Sequence, residues 1–207
     1  EYFTVAVTEN ALKWGQMEPQ KGKVNFTLVD NMLLWADENQ IPLRGHNVYW
    51  GTDRFVQDWL KVLDDEQLTQ ELEKRGRMIG ARYKGRFAEY DFNNEMLLGD
   101  YYQKRLGPQI TPKMARWVKE SDPEAKLYLN DFDILTGNRL YRFVDHVKDL
   151  QNRGVSIDGI GVQGHLHGED FNRDSLQNAL DALAKFNLPI RITELYIPGG
   201  RSKFRKD

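Results

Sequence analysis

Cysteine is absent from all 207 residues, which removes disulfide frameworks, thiolate zinc sites and thiol nucleophiles together. An excess of one charge is also missing. The 29 basic and 31 acidic residues leave a formal net charge of -2 and are spread along the chain, so no basic stripe marks a nucleic-acid partner and no acidic tail a cationic one. No apolar run reaches the ~18 residues of a membrane span. No charged-then-apolar leader heads these residues, which begin with Glu1, so the chain is expected to be a processed or cut piece. Four scattered histidines argue against a structural metal site. Neither glycine-rich phosphate signature, G-x-G-x-x-G after the first strand or G-x-x-x-x-G-K-[ST], occurs, so nothing of that kind supports a doubly wound sheet. What remains is ample core material: 40% hydrophobic and 12% aromatic residues suit one ordered domain spanning 1-207.

Apolar spacing places several helices. Leu140, Phe143, Val144, Val147 and Leu150 follow the i, i+3, i+4, i+7 rule and stop at Gly154. Similar patterns run from Leu28 to Ala36, Leu68 to Tyr83, Met114 to Val118 after a Thr111-Pro112 start, and Leu176 to Leu183. Short apolar runs lie between them: Tyr2 to Val7, Ile41 to Leu43, Phe87 to Phe92, Lys126 to Leu129, Ile157 to Val162 and Leu188 to Ile192. Alternating strands and helices predict parallel strands joined by crossover helices. About six such units without reversal, and without a phosphate loop, favour a (β/α)8 barrel of the TIM type over a doubly wound sheet. In such a barrel the residues at the strand ends line the site.

The predicted strand ends are polar and aromatic throughout. "TENALKW" supplies Glu9, Asn10, Lys13 and Trp14; "RGHNVYW" supplies His46 and Trp50; "DFNNEML" supplies Asn94 and Glu95. "LNDFD" spans Asn130 to Asp133, "GVQGHLH" gives Gln163 and His165, and "RITELY" gives Thr193 and Glu194. Two glutamates among amides, imidazoles and tryptophans suit glycoside hydrolysis. One carboxylic acid protonates the leaving oxygen, a second carboxylate attacks the anomeric carbon, amides hold sugar hydroxyls, and indole faces stack on sugar rings.

The segments "VTENALKW", "EPQKGKVNF", "RGHNVYW", "DFNNEML", "GIGVQGHLH" and "ITEL", in that order over nearly the whole chain, resemble glycoside hydrolase family 10, the endo-β-1,4-xylanases. The N-N-E-M-L acid motif resembles a branch with plant-like members. The resemblance implies that Glu95 is the general acid/base and Glu194 the nucleophile of a retaining double displacement. It implies that Asn94 and His46 serve the subsite of cleavage and that Asn10, Lys13 and Trp50 hold sugars on the non-reducing side. Gln163 and His165 would lie beside the nucleophile. The implied partner is xylan or its oligosaccharides, with no cofactor, metal, nucleic acid or membrane. Secretion is inferred from the family alone, and the parent chain is allowed carbohydrate-binding modules.

Two positions depart from the family's usual pattern. Trp50 is followed by Gly51, Thr52 and Asp53 instead of a histidine with a nearby glutamine, and Phe132 stands where tyrosine is frequent. The first and last barrel strands and the final tryptophan loops have no counterpart, so an excerpt of a longer enzyme is expected. Two rival functions remain at this point: a non-catalytic carbohydrate-binding barrel, and a β-1,4-glucanase on the same scaffold. Among single residues, Glu9 and Arg44 are expected to pair structurally in the barrel mouth, and Trp35 and Trp117 to pack in the core. Trp59 stands between packing and a substrate wall, and Asp131 and Asp133 between a supporting role and none. His146 is expected to face solvent, as is His167 in its loop.

Overall fold

The computed structural model describes residues 4–165 and 172–196. In chain order these form β1 (Ala6–Val7), α1 (Trp14–Met17), α2 (Thr27–Glu38), β2 (Leu43–Trp50), α3 (Asp58–Lys61), α4 (Asp65–Arg82), β3 (Glu89–Asn94), α5 (Tyr101–Leu106), α6 (Ile110–Ser121), β4 (Leu127–Asp131), α7 (Leu140–Asn152), β5 (Gly159–Val162), α8 (Arg173–Ala184) and β6 (Ile190–Ile192). Each strand pairs in parallel with the next, giving the unbroken order β1-β2-β3-β4-β5-β6. A doubly wound sheet would reverse direction partway. The sequential order makes these strands six neighbouring units of a (β/α)8 barrel, with the helices outside.

Strand alternation divides the side chains of the sheet. Tyr90 and Phe92 point to the helices, where Phe87 packs on Tyr90, Tyr83 meets Phe87 edge-on, and Phe92 meets Tyr49 edge-on. Arg44, Glu89, Asp91 and Tyr128 point inward. Arg44 pairs with both Glu89 and Asp91 and lies over the Tyr128 ring, and Arg191 reaches Glu89 at 3.3 Å. The lower interior is thus an ion layer where barrels of this type commonly stack branched apolar residues. Gly159 makes room for it, since a Cβ there would stand 2.1 Å from the Tyr128 ring.

Several sequence expectations need correction. The second strand is not Ile41 to Leu43 but Leu43–Trp50, and it contains the polar run that was expected to follow it. Its inward side is polar, so no apolar pattern betrays it. Of the run from Tyr2 to Val7, the described part, residues 4–7, is strand at Ala6–Val7 alone, while Tyr2 and Phe3 lie outside the described residues, as does His167. Trp35 is 50% exposed: the buried stripe of α2 is Val29, Leu33 and Ala36, and Trp35 is about 100° off it. His146 is not solvent-facing. It sits three residues after Phe143 at the margin of the buried face of α7, and burial pushes its pKa below the imidazole range, partly countered by Asp149. Arg44 does not pair with Glu9, whose carboxylate instead accepts from Asn10. Trp117 packs in the core as expected, and Trp59 resolves to packing, edge-on to Trp14 and donating to the Glu18 carbonyl.

Candidate active site

The site occupies the C-terminal mouth of the strands. Glu95 follows β3 directly with φ 55, the left-handed region that costs a non-glycine residue ~1–2 kcal/mol. The turn is fixed from both sides: Glu95 N donates to Asn130 O (2.8 Å), while the amides of Leu98 and Gly99 donate to Glu95 O. Gly99 permits this closeness, since a Cβ there would lie 2.9 Å from that carbonyl oxygen. The carboxylate is held by two donors, Gln163 Nε2 to Oε1 and Trp50 Nε1 to Oε2, each at 3.0 Å. The side chain is thus held at once from β2 and from the residue that follows β5.

Glu194 stands just beyond β6 with its side chain one-third exposed (32%). Its Oε1 accepts from Asn130 Nδ2 (3.1 Å), its Oε2 lies 3.3 Å from His165 Nε2, and His46 Nδ1 is 4.0 Å from Oε1. Asn130 is the hub between the two motifs. The same Nδ2 donates to Asn94 Oδ1 (2.9 Å), and Thr193 Oγ1 donates to Asn130 Oδ1 (2.7 Å). Gly161, its neighbour on β5, leaves the space, because a Cβ would come within 2.7 Å of Asn130 Oδ1.

His46 is aimed by its surroundings. Its backbone N–H donates to Thr8 Oγ1, and that hydroxyl donates back to His46 O. Its Nδ1 meets Asp91 Oδ2 at 2.8 Å. Burial alone would raise the Asp91 carboxyl, but the His46 hydrogen bond and the Arg44 charge outweigh it and hold its pKa below the ordinary value. Burial likewise opposes the Arg44 charge, and Asp91 and Glu89 more than restore it, leaving the guanidinium pKa raised. The ion layer of the interior thus ends on the imidazole at the mouth.

On the β1 side, Lys13 Nζ donates to Asn10 Oδ1 (2.9 Å) and lies 4.8 Å from the Trp50 ring centroid. The three residues assigned to sugars on the non-reducing side therefore meet. The unusual segment after Trp50 forms a short 3-10 turn, Asp53–Phe55, which stacks Phe55 on Trp50 with ring centroids 3.9 Å apart. A second aromatic ring backs the indole. Phe132 lies under the Arg139 guanidinium at 4.1 Å, a contact in which a ring hydroxyl has no part.

Arg75 of α4 has no counterpart in the sequence reading. It is fully buried and donates to the carbonyls of Leu12, Val48 and Asn47, tying the loop of Asn10 and Lys13 to the strand of His46. Burial pushes its pKa down to about 10. Asn130 and Asp91 likewise carried no assigned role. The one signal for them was the polar "LND" and "YD" inside runs otherwise fit for strands.

All nine residues picked from the sequence lie at this mouth, which defines a barrel protein with a paired-carboxylate site. The chain belongs to glycosyl hydrolase family 10, whose profile matches residues 1–206. It is 36% identical over 209 residues to endo-1,4-beta-xylanase 1 of Arabidopsis thaliana, covering 99% of this chain and 22% of that protein. It is also 36% identical over 194 residues to the anti-sigma-I factor RsgI6 of Acetivibrio thermocellus, covering 94% of this chain and 25% of that one. Among solved structures, a mutant of an intracellular xylanase from Thermoanaerobacterium saccharolyticum in complex with xylotriose superposes with a TM-score of 0.87 at 27% identity, over 97% of this chain and 68% of that one. The chain spans about a fifth to a quarter of the first curated relatives it matches.

Proposed function

We propose that this chain carries the catalytic centre of a retaining endo-β-1,4-xylanase that cleaves xylan by double displacement. The observation that carries this reading is the joint anchoring of two glutamates 99 residues apart in sequence: the Asn130 carbonyl accepts from Glu95 N while Asn130 Nδ2 donates to Glu194 Oε1. Glu194 attacks the anomeric carbon and forms a glycosyl-enzyme, while Glu95 protonates the departing oxygen. Glu95 then takes a proton from the water that releases the sugar. Asn94 donates to the sugar 2-hydroxyl, and Trp50 with Lys13 and Asn10 holds the glycone. An extracellular location belongs to the same proposal, since the polymer is a wall material.

The reading is tested by assaying the full natural polypeptide that carries this chain on xylan, cellulose and mixed-linkage glucan, with NMR of the first-formed anomer. Reducing ends from xylan, with the β-configuration first, are expected. In a crystal structure the two carboxyl groups should stand about 5 to 5.5 Å apart. First-formed α-anomer with a gap near ~9 Å would mean inversion and defeat the assignment. The likeness to an anti-sigma-I factor keeps one rival reading, a xylan-binding barrel that does not cut; binding of xylan without any release of reducing ends selects it.

A further inference from the structure

The carboxylate of Asp131, at the end of β4, is only 1% exposed and has no place in the double displacement just described. It lies behind Glu95. One oxygen accepts from Leu97 N (3.1 Å), two residues along the turn that Glu95 opens, and the other from Phe132 N (2.9 Å). Its backbone carbonyl accepts from Gln163 N (2.8 Å), and the Gln163 side chain is the one that holds Glu95 Oε1. The left-handed turn at Glu95 and the donor on its carboxylate thus both lead back to this one residue. We propose that Asp131 is a positioning residue for the reaction, locking the turn of the acid/base and placing a second negative charge beside it. This rests on the reading of Glu95 as acid/base.

The charged groups facing Asp131 are Glu95 from the end of β3 and Arg139 ahead of α7; Arg139 is shared with Asp133 at 3.5 Å and with the Phe132 ring. Burial pushes the Asp131 carboxyl up to about 6, with Glu95 adding to the rise and the two backbone N–H groups and Arg139 opposing it. Asp131 therefore changes charge in mildly acidic solution. Above that range it is a second anion behind Glu95; below it, that charge is gone. A mere turn cap would have no such dependence.

The experiment uses the full natural polypeptide with and without Asp131→Asn, which keeps the shape and removes the charge. With xylan, kcat should fall about tenfold with KM within about twofold, as expected when an interaction is lost in the transition state alone. The alkaline limb of kcat/KM should move to lower pH by roughly half to one unit, because a neighbouring like charge has been removed. Independently of activity, a carbon-13 titration of the Glu95 carboxyl should show a second inflection near pH 6 in the unsubstituted protein, transmitted from Asp131, and none in the variant. A Glu95 signal with one inflection in the unsubstituted protein overturns the proposal, even if the variant does not fold. Superimposable pH profiles for a folded variant overturn it equally. A protein that never cuts xylan defeats the proposed function, while the carboxyl titration still decides the role of Asp131.

Discussion

At the scale of the residue, the site depends on which group can be lost at which step. Glu95→Ala should reduce xylan hydrolysis by about 10²–10⁴-fold, the usual contribution of general acid–base catalysis, yet spare glycosyl-enzyme formation on an aryl glycoside whose leaving group needs no proton. Added azide should restore turnover and give the β-glycosyl azide. Glu194→Ala forms no glycosyl-enzyme, so azide should yield only the inverted α-product. Identical behaviour of the two variants on the activated substrate would reverse or void the roles. Asn130→Ala removes the donor shared by Asn94 and Glu194 and should lower kcat by about 10–10²-fold, measured on xylan with folding checked by circular dichroism. Unchanged kcat would mean that Asn130 is no hub. The glutamates were legible in the sequence because each sits in a short motif in family order. The φ of 55 at Glu95 was not, because a backbone angle forced by Asn130, Leu98 and Gly99 leaves no mark on the residue that adopts it.

At the scale of the element, α4 shows where local rules and packing disagree. Alanine in place of glycine inside a helix ordinarily stabilises by about 1 kcal/mol. At Gly76, however, a Cβ would meet Tyr49 Oη at 2.2 Å, and that hydroxyl is buried and donates to Leu72 O at 2.8 Å. Gly76→Ala should therefore destabilise, by roughly 1–3 kcal/mol, the usual cost of overpacking a core. Urea unfolding checks the sign; a stabilised variant would show that Tyr49 can yield. The amphipathic helices were legible, α7 best of all, because one buried stripe and Gly154 at its end state its phase and length. Strand β2 was legible only at its first residue, Leu43. Its Arg44 and His46 are buried and polar, a combination that looks like loop until Glu89 and Asp91 are known to receive it.

At the scale of the whole molecule, two buried aspartates pull stability in opposite directions with pH. Asp91 has a lowered folded pKa, so its contribution is present above the unfolded value of 3.8 and is lost as pH falls through the folded one. Asp131 is raised to about 6, so the folded state holds that proton more tightly, and its contribution declines as pH rises from 3.8 to about 6. The difference in unfolding free energy between the unsubstituted protein and Asp131→Asn should therefore shrink by about 3 kcal/mol over that interval. Urea titrations at pH 4, 5, 6 and 7 would measure it, and a constant difference would contradict the burial argument. The barrel could be anticipated from the strand–helix alternation together with the missing phosphate loop. The ion layer that fills it could not, because Arg44, Glu89 and Arg191 lie on three strands far apart in sequence. That layer has a consequence for the medium. Raising ionic strength from about 0.1 to 1 M shortens the screening length from ~10 to ~3 Å, which weakens exposed pairs such as Arg86 with Asp37. The pairs of Arg44 with Glu89 and Asp91 are buried and screened far less, so brine should loosen the outer helices from one another before it disturbs the interior on which the candidate site is mounted.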